Sequence, residues 1–310
     1  MKRRIEGVSV IGAFGIRPGE HWTKSLEDMA VEASVGALQD AEVKFSQIDA
    51  VYTGTMFSNG IDLDLDIPTF NFGSGAAGGL ALNAAVTDLM ATTNKKTLLV
   101  VGAEKMTDFS ASELTTKLMA DASIQEQDGG FTMTSLYAIL AKKRLERFGL
   151  TIDQMDLIPV ENHLFSSSNP MAQFQKPITL EQVKSSPYVA EPIRRLHCSP
   201  ISDGSAAVII TNNIQRNRSV RLSASVVTND TPGLGMRKNL LGLKASRDAA
   251  NQAYLQAGIE PSQIQVAEAD NCYSIAQILA VQDLSLCPST LKNTSGGLKA
   301  CGNAMGAAGL

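Results

Sequence analysis

One helix-and-strand segment occurs twice in this chain of 310 residues, at a constant offset. The stretch from Ala33 to Ile48 has alanine at every fourth position and ends in Ser-Gln-Ile, and the stretch from Ala249 to Ile264 repeats both features. Small residues at this spacing line one face of a helix, which can then lie close to a sheet. Because a duplicated unit determines the whole architecture, the repeat predicts two α/β halves.

Strand patterns flank both copies of the repeat. Continuous apolar runs bounded by turn residues are typical of strands that are covered on both faces. The predicted strands cover residues 7–16, 48–52, 97–101 and 206–210 in the first half, and residues 220–228 and 264–267 in the second. Each half therefore has a strand before and after its repeated helix.

The stretch 107–193 interrupts this alternation, because it is richer in serine, asparagine, glutamine and proline. We interpret it as a loop domain inserted before the last strand of the first half. The predicted first half is then 1–106 with 194–215, and the second half is 216–310.

Composition excludes several classes of protein. Twenty-seven basic and thirty-one acidic side chains give a net charge of −4, without the basic stripe of a nucleic-acid-binding protein. No apolar run reaches the roughly 18 residues of a membrane span. The four cysteines form no C-x-x-C pair, so neither a disulfide framework nor a metal site is indicated, and a reducing cytoplasm is expected.

Two glycine clusters mark turns where the backbone approaches a ligand or a neighbouring helix. They are residues 72–82, which open an apolar helix, and residues 293–309, here called the C-terminal glycine segment. Neither cluster has the G-x-x-x-x-G-K-[ST] spacing of a Walker phosphate-binding loop.

Several segments, in this order, resemble the thiolase superfamily, in particular sterol-carrier-protein-type thiolases and archaeal acetyl-CoA acetyltransferases. The C-terminal glycine segment is similar to the family's N-x-x-G-G-x-x-x-x-G-H-P-x-G motif, and Gly102–Thr107 is similar to its G-x-E-x-M strand end. Further similar segments are 161–163, 169–174, 198–207 and 270–273.

The resemblance implies a thiolase fold, with two βαβαβ halves and covered mixed sheets in five layers, α-β-α-β-α, and an inserted loop domain. It implies a CoA thioester as substrate or ligand, with no bound cofactor. It also implies a homodimer or a hetero-oligomer, one form of which contains a small partner with an OB-fold and a zinc ribbon. The last helix of the family would begin near Leu310, which implies an incomplete C-terminal half.

This sequence departs from the family where a cysteine nucleophile would begin the first-half helix. Aligned on Gly78-Gly79, that position is Gly75. Ser74 and Cys301 are the candidates for a replacement nucleophile, although a serine without an adjacent base is a weak one.

The family's histidines are also replaced. Its H-D-C-F segment corresponds to Asp270-Asn271-Cys272-Tyr273, and the histidine of G-H-P corresponds to Asn303. We expect burial to keep Asp270 protonated, so that it acts as an acid or base. The candidate catalytic residues are Asp270, Asn303, Tyr273 and Ser74.

Candidate substrate-binding residues follow from the same segments. They are Met106, His163, Asn271, Gly296, Gly297, Gly302 and Gly306. His21 is expected at the surface, and His197 is expected to be structural.

Three functions remain open at this point. The first is an enzyme that acts on acyl-CoA by carbon–carbon bond chemistry without a thiol, of the retro-aldol or acyl-transfer type. The second is an inactive subunit that binds acyl-CoA or braces an active partner. The third is an ordinary acetyl-CoA acetyltransferase, which needs a cysteine in the first half, whereas the first cysteine is Cys198. We therefore predict that cysteine-dependent thiolysis is absent.

Overall fold

The computed structural model describes residues 4–213 and 219–310, so the boundary placed between 215 and 216 lies outside the described residues. Its main sheet has six strands in the order β3-β2-β4-β7-β1-β8. The strands are β1 Ser9–Gly15, β2 Ala50–Thr55, β3 Thr69–Gly73, β4 Thr97–Glu104, β5 Tyr188–Ala190, β6 Ile193–Arg194, β7 Gly204–Thr211, β8 Val220–Arg221, β9 Val266–Ala267 and β10 Leu291–Lys292.

The main sheet is mixed. Strand β2 pairs in parallel with β3 and β4, whereas β7 is antiparallel to both β4 and β1. The helices are α1 Leu26–Ala41, α2 Ala77–Ala91, α3 Ala111–Lys117, α4 Ile124–Asp128, α5 Met133–Arg147, α6 Ile152–Ser166, α7 Leu180–Ser185, α8 Lys244–Ala257, α9 Ser274–Asp283 and α10 Gly297–Cys301.

Both faces of the main sheet are covered, as the apolar strand patterns predict. Helix α1 buries its alanine face, including Ala33, Ala37 and Ala41, against one face, and α2 packs its own alanines on the other. The approach of α1 is close, since a β-carbon built on Gly12 would lie 2.5 Å from the Ala41 β-carbon. Small residues on the helix and glycine on the strand permit this spacing.

The second half differs from the sequence-based expectation in its strands. The predicted strand 220–228 is paired only at Val220–Arg221, which joins the main sheet through β1. Strands β9 and β10 form a separate two-stranded sheet. The Leu222 N–H still donates to the Val8 carbonyl oxygen at 3.0 Å, but residues 223–228 have no neighbouring strand among the described residues. A strand needs such a neighbour for its hydrogen bonds. Consequently the repeated alanines of α8 are only half-buried.

The stretch 107–193, predicted as an inserted loop domain and here called the insertion, is mainly helical. It contains α3 to α7, each of which begins at a serine or threonine whose side chain accepts a backbone N–H three residues later. These caps, with a Glu, Gln or Ser at the third helical position, stabilise helix starts. The polar residues that suggested loops are thus helix caps.

The C-terminal glycine segment is wedged against the carboxyl ends of the central strands. A β-carbon on Gly102 would lie 2.1 Å from the Gly306 carbonyl oxygen, and one on Gly78 would lie 2.4 Å from the same oxygen. Buried Glu104 stabilises this contact, because its carboxylate accepts the Gly306 N–H at 3.1 Å and the Met56 N–H at 2.7 Å. The fold therefore brings the two glycine clusters together.

Candidate active site

A cavity of about 800 Å³ opens where α2, the insertion and the C-terminal glycine segment meet. Its walls are largely apolar and rich in methionine, a flexible side chain that adapts to ligands of irregular shape. The apolar side chains that line it include Met56, Met106, Leu118, Met133, Val189, Ile201, Leu298 and Met305. Its charged lining residues are Asp121, Arg195, Glu268 and Asp270.

Gly75, at the start of α2, lies on the cavity wall beside a carboxylate of the insertion. Its backbone N–H donates to Asp121 Oδ2 at 2.8 Å. A β-carbon built on Gly75 would lie 3.1 Å from that oxygen and 3.1 Å from Met305 Cε. The space next to position 75 is therefore already occupied.

Three thiols line the cavity, and burial disfavours the thiolate of each. Burial raises the pKa of Cys198 to about 11. Burial, reinforced by neighbouring Asp270, raises the pKa of Cys272 well above its ordinary value. Burial also raises the pKa of Cys301, whose Sγ donates to the Ser295 carbonyl oxygen at 2.9 Å. Since the thiolate is the nucleophilic form, none of the three is activated at neutral pH.

Asn303 lines the cavity and is 7% exposed. Its Nδ2 donates to Ser199 Oγ at 3.2 Å, and its Oδ1 has no hydrogen-bond partner among the described residues. The serine hydroxyl can donate as well as accept, so the amide can turn and direct its N–H groups to a ligand. Asn303 thus has unused hydrogen-bonding capacity at the site.

Asp270 and Tyr273 line the same cavity but differ in exposure. Asp270 is exposed, with its Oδ1 accepting the Cys272 N–H at 2.8 Å, so the burial expected for it is absent. Burial raises the pKa of Tyr273, whose hydroxyl lies 3.0 Å from Thr134 Oγ1. Tyr273 is therefore a neutral hydroxyl group at neutral pH.

Comparison with known families decides what this arrangement belongs to. The family described as "Thiolase, N-terminal domain" matches residues 9–213, and "Thiolase C-terminal domain-like" matches residues 227–291. The chain belongs to the thiolase superfamily.

Relatives and a solved structure agree with the predicted branch of this superfamily. The acetyl-CoA acetyltransferase of Methanocaldococcus jannaschii is 34% identical over 99% of this chain and 88% of that protein. Sterol carrier protein 2 of Homo sapiens is 27% identical over 99% of this chain and 64% of that protein. The solved structure of the Ltp2-ChsH2(DUF35) aldolase has a TM-score of 0.81 and 19% identity, covering 95% of this chain and 85% of that one. The predicted thiolase fold is thereby confirmed.

Several predicted site residues of this thiolase-superfamily chain lie outside the cavity lining. Ser74 accepts the Ala76 N–H at 3.0 Å through its hydroxyl oxygen and thus closes the turn that precedes α2. Asn271 is fully buried, where its Nδ2 donates to Gln277 Oε1 at 3.1 Å. His163 is 5% exposed, and its Nδ1 lies 3.1 Å from the Lys176 carbonyl oxygen. These contacts are structural and do not bring the three side chains to the cavity.

The predicted glycines divide into lining and packing positions. Gly297 lines the cavity, as does Met106. Gly296 and Gly302, with φ of +106° and +110°, approach other backbone or side-chain atoms within 3 Å of a built β-carbon, and Gly306 contacts the central strands. The last three shape the wall without lining it.

Of the other two histidines, His197 has the buried environment expected from the sequence, whereas His21 is less exposed than expected. His197 is fully buried, with its Nε2 2.7 Å from Asp156 Oδ1, and its Nδ1 accepts the Arg194 N–H at 3.1 Å. His21 is only half-buried and lies outside the cavity lining. Among the described residues, no histidine lines the thiolase-like cavity.

Sequence reasoning missed two charged residues. Asp121 lies 46 positions from its partner Gly75 and belongs to none of the motifs. Lys299 lies inside the C-terminal glycine segment and is 4% exposed. Burial lowers the pKa of Lys299 to about 8, and neighbouring Cys198 opposes this effect.

A Lys299→Met variant should be more stable than the wild-type chain near neutral pH, by about 3 kcal/mol. Between about 8 and the ordinary value of 10.5, the unfolded lysine binds more protons than the folded one, so the wild type gains stability with rising pH. The variant's advantage should therefore shrink to less than about 1 kcal/mol by pH 10. Urea unfolding at both pH values measures this difference, with exposed Lys142→Met as the control. A constant difference across the pH range would contradict the buried-cation account.

The described residues contain no helix that is both long enough and apolar enough to cross a membrane. A search of the same residues for three or more clustered His, Cys, Asp or Glu side chains able to hold a metal ion found none.

Proposed function

We propose that this chain binds an acyl-CoA thioester in the cavity and makes or breaks a carbon–carbon bond beside the thioester without a thiol nucleophile. The observation that supports this most is the state of the three cavity cysteines, whose pKa values are all raised by burial. A nucleophilic thiol also needs a base, and no histidine is among the described lining residues. The best-supported reaction is retro-aldol cleavage of a β-hydroxyacyl thioester.

The cavity's shape and charge support the proposed substrate binding. Its volume of about 800 Å³ lies within the range of small-molecule sites. Methionine side chains suit an acyl chain, and Arg195 is the one cation among the described lining residues, placed to attract the phosphates of CoA. The relatives named acetyl-CoA acetyltransferase support a CoA thioester as the ligand.

In the proposed cleavage, the exposed Asp270 carboxylate accepts the β-hydroxyl proton of the substrate. The bond between the α- and β-carbons breaks, and its electron pair forms an enolate with negative charge on the thioester oxygen. Asn303 donates a hydrogen bond to that oxygen once its amide has turned. Donors aimed at developing charge in a partly enclosed site lower the barrier. The enolate then takes up a proton at its α-carbon.

A second candidate is acyl transfer, favoured by the relatives named acetyl-CoA acetyltransferase. That chemistry needs an acyl group held on a nucleophile. Gly75 has no side chain that could act as a nucleophile, and the buried thiols of the cavity are poor nucleophiles. An inactive subunit that binds acyl-CoA is the remaining alternative, and turnover separates it from the retro-aldol enzyme.

We further propose that the chain is a homodimer or part of a hetero-oligomer. Strand β3 is at the edge of the main sheet, where Phe70 is 47% exposed. An unpaired edge with an exposed aromatic is suited to association with another chain. The name of the aldolase structure, Ltp2-ChsH2(DUF35), joins two different proteins. It therefore also supports a hetero-oligomer, in which the partner has a different sequence. Sedimentation of the full chain at only 32.9 kDa would contradict the homodimer.

An Asp270→Asn variant tests the proposed reaction. Wild-type protein incubated with a set of β-hydroxyacyl-CoA thioesters should release a shortened acyl-CoA, detected by liquid chromatography and mass spectrometry. The variant should cleave about 10²- to 10⁴-fold more slowly, because it lacks the proton acceptor. Asp64→Asn, at an exposed acid outside the cavity lining, should cleave at the wild-type rate. Binding without cleavage by the wild type would instead favour the inactive subunit.

A further inference from the structure

Asp121 brings a carboxylate from the insertion to the start of α2. It lies between α3 and α4, lines the cavity, and accepts the Gly75 N–H through Oδ2 at 2.8 Å. Because a β-carbon on Gly75 would lie 3.1 Å from that oxygen, the carboxylate occupies the room beside position 75. This placement is set by the insertion and not by the duplicated halves.

The local environment suits a carboxylate that exchanges protons. The amino-terminal end of the 15-residue helix α2 carries partial positive charge, which stabilises an anion. The Gly75 N–H holds one oxygen in place, while Oδ1 has no hydrogen-bond partner among the described residues. Asp121 is also exposed, so that it can exchange protons with solvent.

A second, independent observation is an unpartnered polar group in the same cavity. Asn303 lines the same cavity, is 7% exposed and has an unpartnered Oδ1. Met305, two residues further along the chain, brings its methyl group within 3.1 Å of a β-carbon built on Gly75, beside Asp121. Asn303 and Asp121 therefore face one cavity, in which a single bound thioester can contact both.

We infer that Asp121 is a catalytic residue that transfers the α-proton of the bound acyl thioester, an inference that rests on the proposed thioester function. Asp121 Oδ1 takes the α-proton, and the electron pair of the broken C–H bond forms the enolate, whose negative charge is on the thioester oxygen. The reverse step returns a proton to the α-carbon. In the cleavage direction, Asp270 takes the hydroxyl proton and releases it to solvent. Asp121 takes a proton from solvent and donates it to the α-carbon of the enolate. No oxidant or reductant is required.

Exchange of the α-protons of acetyl-CoA in heavy water isolates this step, because it needs no carbon–carbon bond cleavage. The full chain should incorporate deuterium into the acetyl group. Proton NMR measures this incorporation as the loss of the acetyl proton signal. In Asp121→Asn the amide oxygen can still accept the Gly75 N–H, so acetyl-CoA should bind with unchanged affinity by calorimetry while exchange falls about 10²-fold or more.

Two further variants make the result specific. Asp128→Asn, at an exposed acid of the insertion outside the cavity lining, should exchange at the wild-type rate. Asp270→Asn should retain exchange even though it loses cleavage. Wild-type exchange in Asp121→Asn, or cleavage by the wild type without any exchange, would overturn the role of Asp121 and leave the proposed function standing. Absence of both exchange and cleavage in the wild type would overturn both.

Discussion

An Asn303→Ala variant should cleave a β-hydroxyacyl thioester about 10²- to 10³-fold more slowly than the wild-type chain. Asn303 is a buried residue of the cavity wall. Its Nδ2 is hydrogen-bonded to Ser199, and its Oδ1 has no hydrogen-bond partner among the described residues. Alanine removes the hydrogen-bond donor that we assign to the enolate oxygen. Since that charge develops during the reaction, the loss should appear mainly in kcat, with a smaller change in KM.

The measurement is steady-state cleavage of the best substrate found for the wild type. Asn251→Ala, at an exposed position in α8, is the matched control and should retain full activity. An increase in KM with unchanged kcat would mean that Asn303 only binds the substrate, which would contradict its role in stabilising the enolate.

A Gly102→Ala variant should lose about 3 kcal/mol of its free energy of unfolding. The added β-carbon would lie 2.1 Å from the Gly306 carbonyl oxygen, which is backbone and cannot rotate away. The C-terminal glycine segment must therefore shift from the strand ends, moving Asn303 and Met305 with it. Affinity for acyl-CoA should decrease together with stability.

Urea denaturation of Gly102→Ala and Gly79→Ala compares these two glycines directly. A β-carbon on Gly79 meets no heavy atom within 4 Å, and Gly79 lies in α2, so alanine there should stabilise the chain by about 0.5–1 kcal/mol. Equal effects of the two substitutions would contradict the close packing described for Gly102.

The covered main sheet could be predicted from the sequence because its signals are local. The apolar runs of β4 and β7 and the alanine face of α1 depend on neighbouring residues, and all are buried as expected. The helices of the insertion could not be predicted from composition, because serine and threonine favour both turns and helix starts. The prediction of a strand at 220–228 was wrong for a non-local reason. Strand pairing requires a neighbouring strand, which the local sequence pattern does not specify.

Only those residues of the candidate site that lie within a family motif could be predicted from the sequence. Asn303, Asp270 and Tyr273 lie in motif segments, and all three line the cavity. The contact of Asp121 with Gly75, however, joins residues 46 positions apart. No local pattern reports such a contact, so the structure was needed to find it.

We propose, as the central claim, that this thiolase-superfamily chain binds acyl-CoA and reacts with it without forming an acyl-enzyme. Its most direct test is the intact mass of the chain after incubation with acetyl-CoA and rapid acid quenching, alongside native mass spectrometry of the unquenched mixture. We expect acetyl-CoA to bind noncovalently in the native spectrum and the quenched mass to be unchanged. A quenched mass increased by one acetyl group on Cys198, Cys272 or Cys301 would show a thiol nucleophile and contradict the account.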